Sequence, residues 1–170
     1  MPNYAPSTRA RIADLVLGMR VESSVLANAT YFLQAQHELF KVYGRIIVLQ
    51  LFWEAITVNG AGATLFQYNF TSTSPVIAVA PLGAVSASIA ALAQGRRCVW
   101  KGGAVATAHV ITASAGLSDV ISVAPQIVGT IGGVSTIGML TTTANAVSGT
   151  HQHSLLYAPM SDGAYVEALL

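Results

Sequence analysis

The sequence predicts an all-β fold, an antiparallel β-sandwich of jelly-roll type with a short N-terminal arm. Three observations carry that prediction. β-branched and aromatic residues gather in short runs. Gly, Pro, Asn and Ser punctuate those runs at short intervals. Helical spacing is confined to two short stretches. Many short strands with few helices indicate a sandwich or barrel, and 170 residues suit one domain with a substantial core.

Residues 1–22 stand apart as an arm. They hold five of the fifteen charged side chains: Arg9, Arg11, Asp14, Arg20 and Glu22. Ile12, Leu15, Val16 and Met19 fall at helical spacing, with Ser7 placed as N-cap. An amphipathic helix near 8–19, ended around Gly18, is therefore predicted. So short a helix is unstable alone. It must pack on its own domain or reach a neighbouring subunit.

The β domain spans 23–170. Glu38–Tyr43 alternates, Gly44 breaks the run, and Arg45–Thr57 reads as a strand buried on both faces. Asn59-Gly60 is the chemistry of a tight hairpin turn into a strand over Thr64–Phe70. Further strands are predicted at Val76–Ala80, Arg97–Lys101, His109–Ala113, Val120–Val123, Thr136–Thr143, Gly149–Tyr157 and Ala164–Leu169. Turns fall at Pro81–Gly83, Gly102-Gly103, Gly116, Gly132-Gly133 and Ser161–Gly163. The Ala/Ser-rich stretch Gly83–Ala93 suits a short helix.

Charge is scarce. Apolar residues are 53% of the chain and charged ones 9%, against roughly 25% in an average soluble protein. A formal net charge of +1 supplies little repulsion between copies. Such a surface suits a protein that works covered by neighbours. Mean hydropathy is +0.58, yet the uncharged runs Ala55–Gly95 and Val120–Thr150 are interrupted by Gly, Pro and Ser/Thr and do not read as membrane-spanning helices. No basic-then-apolar leader is visible at the start. The lone Cys98 excludes an internal disulfide framework. Synthesis in a cytoplasm follows, and the glycosylation-like triplets at Asn28 and Asn69 carry little weight.

Groups for catalysis are few. Beyond residue 60 the only acids are Asp119, Asp162 and Glu167. Glu38 and Glu54 are the one conceivable carboxylate pair, but Lys41 and Arg45 beside them indicate surface ion pairs on adjacent strands. Cys98 in its apolar run is a buried structural thiol. No phosphate-binding or nucleophile-elbow motif is present. No catalytic residue and no cofactor is assigned.

His151 and His153 have metal logic, since residues two apart on a strand share a face. Completing a site takes His37 or His109, or three copies around an axis. The competing expectation, preferred here, is two solvent-facing residues on an outer strand, with no metal. Arg96, Arg97, Lys101 and Trp100 form a basic–aromatic group too small for nucleic acid. Arg96 and Arg97 read as a loop end or an interface pair. The interface candidates are thus Ile12, Leu15, Val16 and Met19 on the arm, and Arg96, Arg97 and Trp100 on the domain.

Two segments carry a resemblance. Glu38–Thr57 is similar to a recurrent pattern in small structural proteins of tailed bacteriophages, in which a Leu-Phe-x-Val-x-Gly strand leads into a hydrophobic strand ending Glu-x-x-Thr. His153–Ala168 resembles their closing Leu-x-Tyr-x-Pro-Leu-x-Asp-Gly-Ala-x-Val, with Met160 at the second Leu. The resemblance implies a virion structural protein, made in the host cytoplasm. Capsid decoration (cement) proteins and head or collar spikes are its named classes. It implies no enzyme and no membrane. Its partners are the major capsid protein or another virion protein, and further copies of itself as a dimer or trimer. The charge-poor body favours a densely packed position, so a cement role is expected, bridging capsid subunits. The alternatives are a collar, neck or tail-spike component, or a carbohydrate-binding sandwich. For the last, Tyr68, Asn69 and Phe70 are the candidate platform, although period-2 geometry favours the core for both rings.

Overall fold

The computed structural model describes residues 18–33, 35–100, 102, 109–112, 124–143 and 148–170. Its strands are β1 (Met19–Glu22), β2 (Leu26–Ala27), β3 (Gln36–Ala55), β4 (Leu65–Thr73), β5 (Val76–Pro81), β6 (Arg97–Trp100), β7 (Val110–Ile111), β8 (Gln126–Thr143), β9 (Thr150–Pro159) and β10 (Tyr165–Ala168). One four-residue helical turn, α1 (Asn28–Tyr31), joins β2 to β3. Every strand pairing is antiparallel. The sheet runs β1–β9–β3–β8–β4–β5, with β2 also on β9, β10 and β6 also on β3, and β7 on β6. The all-β, sandwich-like expectation holds. Among the described residues no helix is long and apolar enough to cross a membrane.

β3 is the spine. Its first half pairs with β8 and β10, its middle with β8 and β9, and its last residues with β9 and β6. Register shifts at Glu38/Phe40, Tyr43/Arg45 and Val48/Gln50 bend it as bulges do. One strand thereby serves two layers, β10–β3–β8–β4–β5 and β1–β9–β3–β6–β7. The core lies between them, where Trp53 faces Phe66 and Tyr68 faces His153.

Several expectations are corrected. Gly44 does not end a strand. It sits at φ +73° in the bulge opposite Gly129, at φ +91°, and a Cβ on Gly129 would lie on the Gly44 carbonyl oxygen. Opposite Gly44, β8 spends Thr130–Gly133 on an excursion before pairing resumes at Val134, so Gly132-Gly133 lies within a longer strand. Asn59-Gly60 does not close a hairpin, because β3 and β4 are not neighbours. Instead the loop crosses between layers, held by the buried Asn59 amide donating to Ile89 O at 2.8 Å. Residues 83–93 form no helix. Leu82, Ser86 and Ile89 donate their backbone N–H groups to Tyr68, Phe66 and Thr64, so the open edge of β4 captures the segment. Met19 belongs to β1, opposite Tyr157, rather than to a helix end. Ile12, Leu15, Val16 and the expected strand Val120–Val123 lie outside the described residues.

Charge is unevenly distributed over this architecture. The neighbouring strands β8, β4 and β5 contain no Asp, Glu, Lys, Arg or His. The described charges lie on β1, β3, β6, β10 and the turns beside them.

Candidate functional site

All four histidines of the chain surround one aromatic nucleus between the layers. β9 places His151 and His153 on one face, as their spacing requires, with ring centroids 5.0 Å apart. The preferred expectation of solvent-facing rings is overturned: both are 0% exposed. The reason is tertiary. β9 lies between β3 and the β1/β2 edge, and this face of it looks into the seam. His151 stacks on Phe32 at 4.6 Å and lies 5.8 Å from Trp53. His109 lies against Phe66 and Tyr68, and His37 meets the edge of Tyr31.

Hydrogen bonds set the tautomers. His151 Nδ1 is 2.6 Å from Asn28 Oδ1, a carbonyl oxygen that only accepts, so Nδ1 carries the proton. Asn28 Nδ2 donates onward to Asn59 Oδ1 at 2.8 Å and to Ser148 O at 3.1 Å. His153 Nδ1 lies 2.9 Å from the Tyr68 hydroxyl. Burial pushes His151 down to about 3, assisted by His37, and His109 down to about 4. It holds His153 well below the usual imidazole value, with His151 and His37 adding to the effect. Burial likewise raises Tyr68, and lifts the Cys98 thiol to about 12. These rings are neutral at pH 7 and closed to any substrate in this conformation. Among the described residues no three His, Cys, Asp or Glu side chains group so as to hold a metal ion.

The remaining candidates fall as follows. Trp100 is fully buried, its indole N–H donating to Leu82 O at 3.0 Å, so its side chain offers a partner no surface. Arg96 is held by Thr112 O. Arg97 bonds Glu54 at 2.7 Å and lies over the Phe52 ring. Glu54 therefore pairs across to β6, and Glu38 sits sixteen residues away on the same strand, not an adjacent one. The structure brings the two carboxylates no closer to a catalytic pair. Met19 is 39% exposed on the edge strand β1. Tyr68 and Asn69 are buried and Phe70 packs against the core, so they form no exposed platform.

Two surface features escaped the sequence reading. The first is β5, whose residues are almost all exposed on both faces, Val76 at 87% and Val79 at 49%. Ile77 and Ile127 line one groove with Phe70 and Leu82, and Ile131 is exposed on the neighbouring excursion of β8. The uncharged run Val76–Pro81 was the available signal. The second is a stacked pair, Tyr43 and Tyr165, with ring centroids 4.4 Å apart. Tyr165 is exposed, and the pair borders an open groove of about 400 Å³ with Ile131, Ser161 and Asp162. Only the β3–β10 register creates that pair. The chain matches no protein-family model, no curated protein and no solved structure.

Proposed function

We propose that this chain is a virion structural protein of the capsid-decoration type, acting by associating with copies of itself and seating on the major capsid protein. The observation that carries the reading is the uncharged end of the sheet. Natural edge strands are guarded by charge, Pro, bulges or covering loops; β5 ends on Pro81 and is bulged against β4 between Phe70 and Ser72, but it has no charged guard. Among the described residues β5 is an edge strand, with Val76, Ile77 and Val79 exposed and no charge on it, on β4 beside it or on β8 beyond that. Left bare, such an edge is an aggregation site, so its working state is a covered one. A second copy is the occupant that fits. Antiparallel pairing of β5 with its own copy extends the sheet across a twofold axis and buries apolar surface against apolar surface without stranding a charge. The phage-like segments Glu38–Thr57 and His153–Ala168 and the scarcity of charge support the virion setting.

The test is the copy number of the chain in purified particles, quantified against the major shell protein. About one copy per shell subunit, within the two- to threefold error of the staining, supports decoration. A dozen or so copies moves the protein to a collar or spike, and none removes the virion reading. Self-association is tested separately by light scattering on the purified chain: Val79→Lys is expected to give monomers with unchanged thermal stability, and a Val79→Lys oligomer refutes the β5 interface.

A second reading is favoured by the Tyr43–Tyr165 pair. An exposed aromatic face beside Asp162 and Ser161 has the chemistry of a saccharide platform, with ring stacking for the sugar face and polar groups for its hydroxyls. Screening against neutral oligosaccharides with Tyr165→Ala as control decides it; binding that survives the substitution places the ligand elsewhere.

A further inference from the structure

We propose that the buried histidine–aromatic cluster is an acid-operated latch: its neutral imidazoles close the seam between the two layers, and proton uptake at His151 and His153 opens it. The two rings tie β9 to two different parts of the fold. His151 binds Asn28, the first residue of α1, and His153 binds Tyr68 on β4.

Neither ring has room for a second proton. His151 already uses Nδ1–H toward Asn28, so the new charge would arise at Nε2, in a ring enclosed by Phe32, Trp53 and His153. Aromatic faces return to a cation only part of what water supplied. The Tyr68 hydroxyl has His153 Nδ1 as its one acceptor among the described residues, so it donates there and the neutral ring keeps its proton on Nε2. Protonating Nδ1 reverses that bond and strands the hydroxyl proton.

Among the described residues no acid compensates. The titratable groups around the pair are Tyr31 on α1, His37 on β3, Tyr68 on β4, Cys98 on β6, and His109. The charged residues of the flanking strands point the other way. Glu54 is registered with Gln152, Glu22 with Ser154, and Arg97 with Glu54. Adjacent imidazolium rings would also repel each other.

The sign follows. Folded His151 and His109 titrate at about 3 and about 4, with His153 also depressed, against 6.5 for an ordinary histidine. Folding stability from neutral burial is complete above pH 6.5 and is lost as pH falls toward 4. Each such ring multiplies the unfolding constant by up to about tenfold per pH unit. For three rings the increase between pH 6.5 and 5.5 is about a hundredfold.

The experiment is urea unfolding of the full chain from pH 7.5 to 5.0, followed by tryptophan fluorescence, with imidazole NMR of the folded protein over the same range. The expected result is the hundredfold rise between pH 6.5 and 5.5, reversed on return to neutral pH, with His151 and His153 resonances unmoved while folded. His153→Gln keeps an acceptor for Tyr68 and cannot charge, so it is expected to cut that rise about fivefold. A rise below tenfold, or either ring titrating near pH 6.5 in the folded protein, overturns the latch. The NMR result decides even where the variant does not fold.

Discussion

Removing the Asn28 side chain should be among the most damaging single substitutions in the described fold. Asn28 is fully buried and makes three bonds at once: it accepts from His151 Nδ1 at 2.6 Å and donates to Asn59 Oδ1 at 2.8 Å and Ser148 O at 3.1 Å. Asn28→Ala leaves the His151 N–H without an acceptor and Asn59 Oδ1 without its donor. Each buried orphan costs about 1–3 kcal/mol. The two together give a loss of about 2–6 kcal/mol, a large fraction of the roughly 5–15 kcal/mol that holds a domain folded. Urea unfolding at pH 7.5 measures it through Trp53 and Trp100, both fully buried reporters. Asn59→Ala breaks the same Asn–Asn bond from the other side. The double variant should therefore lose less than the sum of the singles, by about 1–3 kcal/mol. A loss below about 1 kcal/mol at unchanged denaturant slope, or strict additivity, would show that the network contributes little.

Other expectations are quickly checked. Gly129→Ala forces a left-handed φ of +91° on a residue whose Cβ would occupy the Gly44 carbonyl, and should cost more than about 3 kcal/mol or prevent folding; a thermal midpoint within a few degrees of the parent contradicts that bulge. Cys98, buried and lifted to about 12, should react with a thiol reagent at pH 8 only as fast as the protein opens. Fast labelling in native buffer would place it elsewhere. Glu54→Gln removes the partly exposed ion pair with Arg97 and should cost no more than about 1 kcal/mol, less at high salt. A loss of several kcal/mol would mean that Arg97 depends on Glu54 for burial.

Local pattern was enough for much of the fold. The β-branched and aromatic runs over 45–55, 65–70, 76–80, 97–100, 150–157 and 165–168 all emerge as strand, because strand character is written in period-2 spacing and near-neighbour sterics. The scarcity of charge was legible too, and with it the expectation of a covered surface. The shared face of His151 and His153 follows from the pleat alone. What the pleat does not say is which way that face looks. The seam received it because β9 pairs with β3 and with the β1/β2 edge, contacts 96 to 138 positions apart in the chain. The same non-local choice buried Trp100, turned Arg97 to Glu54, carried β3 through Gly44 and kept Asn59-Gly60 from closing a hairpin. It also left the side chains of β5 exposed while burying Cys98, Val99 and Trp100 of β6. Composition and spacing determined that this chain forms strands poor in charge. Only the pairing of distant segments decided which apolar faces meet, since burial is a property of the neighbour that arrives and not of the residue that waits for it.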